Sequence, residues 1–173
     1  KTYVAKNFGY PVFDADYEVS KLYKKDRGTF LVLNRKIPKH IRSFPIDKNE
    51  ISKAILSNKT NLKKIISVVH KKIRQKMKLF LIKNKNKKIV ILDIPLLLEN
   101  KINKKSDILI FVDSKKKDIE KRIKKRLNFN RKLFLKFKTL QFTAKYKKKK
   151  SDFIIQNNFT RKSVKKGINI ILK

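Results

Sequence analysis

Residues 89–93 read Ile-Val-Ile-Leu-Asp, an unbroken apolar run, largely β-branched, that ends on a carboxylate. A strand exposed on one face alternates apolar and polar residues. A run apolar at every position suits a parallel strand covered on both faces by helices. Residues 108–112, Ile-Leu-Ile-Phe-Val, repeat the pattern and end on Asp113. A shorter apolar segment, residues 11–13, precedes Asp14, Ala15 and Asp16. Most of the remaining chain carries helical spacing, and strands alternating with helices predict an α/β fold with a parallel sheet.

The helical stripes are explicit. Val19, Leu22 and Tyr23 share a face over residues 18–24, as do Ile51, Ile55 and Leu56 over 48–56. The longest stripe, Leu62, Ile65, Ile66, Val69, Ile73, Met77 and Phe80, predicts a helix over 62–82 with Asn61 as its cap. Residues 2–8 read as a helix stopped by Gly9, and Gly28 punctuates a polar stretch at 24–27. Ile119, Ile123 and Leu127 mark a basic helix over 115–127. Residues 128–150 form a lid-like helical region, and 160–172 the last helix.

The 173 residues hold no Cys, which removes disulfides and thiolate metal sites, and no apolar run long enough to span a bilayer. A cytoplasmic setting without membrane attachment is expected. Lys and Arg total 49 against 13 Asp and Glu, a net charge of +36. That charge fits a nucleic-acid binder held by phosphate contacts. It equally fits compositional drift toward Lys, Asn, Ile and Phe codons, since the lysines are spread along the chain. Either way, the positive field attracts anionic nucleotides.

Lys1-Thr2 opens the chain. A Lys-[Ser/Thr] pair closes a phosphate-binding loop: the lysine reaches the β/γ-phosphates, the hydroxyl binds Mg²⁺, and the following helix offers its N–H groups. Asp14, Asp16 and Asp93 stand where apolar strands end, positions that serve a metal or a proton acceptor but also suit Asx turns and caps. His70 lies beside the long apolar stripe. Arg122 and Arg126, four apart, are expected on one helical face.

Lys1-Thr2-x-Val4-Ala5, Gly9-Tyr10-Pro11-Val12-Phe13-Asp14-Ala15-Asp16 and above all Asp93-x-Pro95-Leu96-Leu97-x-Glu99 resemble motifs of the dephospho-coenzyme A kinase family. Phe44-Pro45, Ile46-Asp47-Lys48, Val68-Val69-His70 and Ser151-Asp152-Phe153-Ile154-Ile155-Gln156-Asn157 are similar to further landmarks. Lys48, Lys71, Leu127 and Gln156 depart from the residues usual there. The glycines of the phosphate loop and the strand before them are absent from this sequence, so the chain is expected to begin inside its own nucleotide loop and to fold poorly alone.

The resemblance implies a P-loop kinase: a nucleotide-binding core at 1–27 and 84–173 with a lid at about 127–150, and a helical acceptor-binding insertion at 28–83. It implies transfer of the ATP γ-phosphate to the ribose 3′-hydroxyl of dephospho-CoA, giving CoA and ADP. Asp16 would take the proton of the acceptor hydroxyl or orient it, with Asp14 supporting the metal. Lys1 and Arg122 would act on the transferred phosphate. Lys1, Thr2, Arg122, Arg126 and Asn157 would bind ATP, and Thr2 and Asp93 would hold Mg²⁺. Asp16, His70, Pro95, Leu96 and Leu97 would face the acceptor, while Glu99 reads as a solvated helix end. A monomer is expected, with no specific nucleic-acid partner. Another small nucleoside or nucleotide kinase, or a basic nucleic-acid-binding module, are the alternatives.

Overall fold

The computed structural model describes residues 9–126 and 129–171. Lys1, Thr2 and the helix expected at 2–8 lie outside them. The chain divides into two compact units, Lys1–Pro95 and Leu96–Lys173, each with a pair of parallel strands.

In the first unit β1 (Val12–Asp14) pairs in parallel with β2 (Ile91–Asp93), placing Val12 opposite Ile91 and Asp14 opposite Asp93. Four helices connect them: α1 (Ala15–Lys25), α2 (Arg27–Lys36), α3 (Lys48–Ser57) and α4 (Lys59–Lys83). α1 begins directly after the strand because Asp14 caps it, accepting a hydrogen bond from the Tyr17 N–H at 2.9 Å. Asp26 then ends one helix and starts the next. Its N–H donates to the Leu22 carbonyl at 3.0 Å, and its carboxylate accepts from the Thr29 N–H at 2.6 Å. The break between helices therefore falls at Asp26, and Gly28, expected to be a break, lies inside α2.

The long stripe packs as its spacing predicts. Leu62, Ile65, Val69 and Ile73 of α4 are buried together with Leu22 and Tyr23 of α1, Leu33 of α2 and Ala54 and Ile55 of α3. Burying each Leu or Ile contributes about 1.5–3 kcal/mol. Farther along α4, Phe80 meets Phe13 of β1 with ring centroids 5.6 Å apart, joining the helical layer to the strand pair. The cap differs from expectation. Asn58 accepts from the Asn61 N–H at 2.7 Å, so the helix starts one turn earlier, and the Asn61 carboxamide donates to Ser57 Oγ at 2.9 Å.

In the second unit β3 (Ile110–Asp113) pairs in parallel with β4 (Phe153–Gln156), with Ile110 opposite Phe153 and Asp113 opposite Gln156. α5 (Lys116–Lys124), α6 (Arg131–Lys138) and α7 (Ala144–Lys149) lie between them in sequence, and α8 (Arg161–Ile171) follows. Asp152 fixes the start of the pairing by accepting from the Leu109 N–H at 2.7 Å. α8 lies so close to β4 that a Cβ added at Gly167 would sit 2.7 Å from Ile155 Cγ2. Among the described residues no helix is long and apolar enough to cross a membrane.

Candidate active site

In the first unit the strand register brings Asp14 and Asp93 side by side at the carboxyl end of the parallel pair. Adjacent strands lie about 4.8 Å apart, and ligands of parallel α/β sheets gather at that end. Two carboxylates there are hard oxygen donors. They suit Mg²⁺, which binds through one or two carboxylates together with substrate phosphates and water. Groups of three or more His, Cys, Asp or Glu able to form a cage are absent among the described residues.

Asp16 is placed differently from expectation. The strand ends at Asp14, so Asp16 belongs to the first turn of α1, past the strand end, and is exposed there. A carboxylate in the first turn of a helix is favoured by the N-terminal dipole. Asp14 also fills the bland role open to it, since its side chain caps α1.

His70 sits on α4 just off the buried stripe, half-buried, in an open depression lined by Ile66, Ser67, Lys71, Arg74 and Gln75. Burial pulls its pKa below the ordinary value, and the positive Arg74 one turn on pulls it the same way. Both causes favour the neutral imidazole, which lies beside the cations of Lys71 and Arg74.

In the second unit residues 96–101 form a tight turn in which Leu96 and Lys101 adopt left-handed backbone, with φ of 55° and 49°. The Leu96 carbonyl accepts from the Asn100 N–H at 3.0 Å and from its side chain at 2.9 Å, and Leu97 O accepts from the Ile102 N–H at 3.1 Å. Pro95, the last residue of the first unit, is exposed.

Glu99 is the residue that local sequence patterns undervalue. Instead of a solvated helix end, its side chain is only 9% exposed and accepts from Lys147 Nζ at 2.8 Å and from the Phe142 N–H at 2.8 Å. Burial pushes its carboxyl up, but the Lys147 bond, the backbone N–H donors and the lysine charge outweigh that and hold it below the usual range. The next lysine, Lys148, reaches Asp113 at the end of β3 at 2.6 Å, and Gln156 of β4 donates to the same carboxylate at 3.2 Å. The Lys148 hydrogen bond is the chief cause of a lowered Asp113 pKa. Consecutive lysines thus fasten α7 at two points.

Arg122 lies near the end of α5, its guanidinium 4.5 Å from the centre of the Phe159 ring. Arg126 is not on that helix, contrary to expectation. α5 stops at Lys124, and the Arg126 N–H closes the following turn on the Ile123 carbonyl at 3.1 Å. Asn157 follows β4, donating its N–H to the Asp113 carbonyl at 2.8 Å and accepting from the Phe159 N–H at 2.8 Å.

Comparison with known proteins agrees with this architecture. The chain covers 99% of its length and 87% of a structure of TT1252 from Thermus thermophilus, with a TM-score of 0.75 at 20% identity. For a dephospho-CoA kinase from Campylobacter jejuni the coverage is 99% and 88%, with a TM-score of 0.65 at 23% identity. These likenesses show the fold, an α/β fold with parallel strands. In sequence, the chain is 32% identical over 169 residues to a dephospho-CoA kinase of Wolbachia sp. subsp. Brugia malayi (strain TRS), covering 95% of this chain and 86% of that protein. It is 27% identical over 167 residues to the dephospho-CoA kinase of Bartonella henselae, covering 95% and 85%. The family model described as dephospho-CoA kinase matches residues 1–163. With a family match over residues 1–163 and relatives aligned over 95% of this chain, the chain belongs to the dephospho-CoA kinase family.

Proposed function

We propose that the protein transfers the γ-phosphate of MgATP to the ribose 3′-hydroxyl of dephospho-CoA, releasing CoA and ADP. The observation that carries this reading, beyond family membership, is the in-register pair Asp14 and Asp93 at the carboxyl end of the parallel strands. Phosphoryl transfer asks the protein to neutralise phosphate charge and aim the nucleophile, with little covalent chemistry of its own. The 3′-oxygen forms a bond to the γ-phosphorus as the bond to ADP breaks. The hydroxyl proton passes to Asp16, in the first turn of α1 directly after β1.

Asp14 and Asp93 would hold Mg²⁺, with Thr2 as a further oxygen donor, and the ion would supply charge neutralisation for the phosphates. Lys1, Arg122 and Arg126 would contact ATP phosphates, and guanidinium groups suit this through bidentate geometry. Asn157, directly after β4, would meet the base. Dephospho-CoA carries a pyrophosphate, and the cationic depression around His70 in the helical layer supports acceptor binding by residues 28–83. Pro95, Leu96 and Leu97 would line the acceptor pocket.

Kinetics of the complete gene product test these roles. Asp16→Asn is expected to lower kcat at least about 100-fold while leaving the KM for ATP nearly unchanged, as loss of a general base does. Asp93→Asn should weaken Mg²⁺ activation. An Asp16→Asn enzyme with normal kcat would remove the base assignment.

A further inference from the structure

Phe159 combines two features that oppose each other unless its ring has work to do. Its backbone is left-handed, with φ of 64°, a conformation costly for a bulky side chain and found where the surroundings over-determine it. Here they do. The Asn157 carboxamide oxygen accepts from the Phe159 N–H at 2.8 Å, and the Asn158 carboxamide oxygen accepts from the Thr160 N–H at 3.1 Å and its hydroxyl at 2.7 Å. Thr160 Oγ1 in turn accepts from the Ser163 N–H at 3.2 Å in the first turn of α8. Yet the residue so held is 39% exposed, so core packing does not account for an aromatic side chain at this position. What the ring does touch is Arg122, whose guanidinium lies over it at 4.5 Å.

We propose that Phe159 is a positioning residue for ATP binding: its ring carries the Arg122 guanidinium by one face and sets the in-plane N–H donors toward phosphate. The inference rests on the reading of Arg122 as an ATP-binding group. A guanidinium is planar, so its face can stack on an aromatic ring while its edge donates two parallel hydrogen bonds to phosphate oxygens. An unsupported arginine on an exposed helix end must lose its side-chain freedom on binding. One already stacked has lost part of it beforehand. Lysine, a point charge on a flexible stem, cannot use both face and edge, which gives an Arg at 122 a physical reason in a chain dominated by Lys.

ATP titration and steady-state kinetics of the complete gene product test this with variants that separate the ring from the backbone. Phe159→Ala and Phe159→Gly both lack the ring, but only Ala retains the left-handed cost. Both are expected to weaken ATP binding alike, by about 3–10-fold, with Phe159→Tyr close to wild type. The Gly variant should melt about 2–4 °C above the Ala variant. In an Arg122→Ala background, Phe159→Ala should produce no further loss. ATP affinity restored by Gly but not by Ala would assign the effect to backbone strain and overturn the proposal. Weakened binding in Arg122→Ala with normal binding in Phe159→Ala would overturn it while sparing the reading of Arg122. Normal ATP affinity in Arg122→Ala would remove that reading and the inference together.

Discussion

Single residues in this chain are decided by contacts as much as by type. Thr29 is fully buried on α2 against Asp26, whose carboxylate accepts its backbone N–H at 2.6 Å and so caps the helix. Losing such a cap costs about 0.5–2 kcal/mol. Asp26→Ala should therefore lower stability by about 1 kcal/mol in denaturant unfolding. Unchanged stability would contradict the cap. At this scale the sequence was legible where chemistry is local and opaque where partners are distant. Asp14 and Asp93 stand out because each ends an apolar strand. Glu99 does not, because its partners Phe142 and Lys147 lie more than 40 residues away. Nothing in Asp-Ala-Asp says which carboxylate caps the helix; the capping bond at Asp14 decides it and leaves Asp16 in the first turn of α1.

At the scale of elements, long periodic stripes were read well and short boundaries were not. The seven-membered apolar stripe on α4 identified the helix and its buried face. Its cap was missed by one turn because Asn58 and Asn61 are both competent caps, and tertiary burial of Asn61 separates them. α5 stops short of Arg126, since a basic helix with no fully buried residue has little packing to extend it. Tight packing makes α8 sensitive instead. Gly167→Ala should lower stability by about 1–3 kcal/mol, through the clash with buried Ile155; an unchanged melting temperature would contradict the close approach.

α7 is held by ion pairs, which gives it a pH dependence. The carboxyls of Glu99 and Asp113 are depressed in the folded state. Their contribution is thus fully present above the unfolded values, about 4, and is lost as pH falls through the lower folded ones. Amide hydrogen exchange corrected for intrinsic rates should show α7 protection constant from about pH 5 to 8 and falling below about 4. Protection that rises on acidification would reverse the sign and refute the anchoring.

For the whole molecule, the net charge of +36 is the loudest feature of the sequence and the least informative about fold. The carboxylates that do form described ion pairs, Glu18, Asp26, Glu99 and Asp113, each meet lysine. Excess lysine is left to face solvent and anions. The α/β class was legible because unbroken apolar runs and helical stripes are sequence-local. The division between Pro95 and Leu96 was not, since it falls inside a continuous motif and depends on which contacts close around each side. The most direct test of the assignment offers the complete gene product ATP with dephospho-CoA, or with nucleosides and nucleoside monophosphates, at moderate salt, and identifies products by mass. Equal amounts of CoA and ADP, formed only with dephospho-CoA, are the expected result. A folded protein that leaves dephospho-CoA unchanged while phosphorylating another nucleotide, or that only binds nucleic acid, would contradict it.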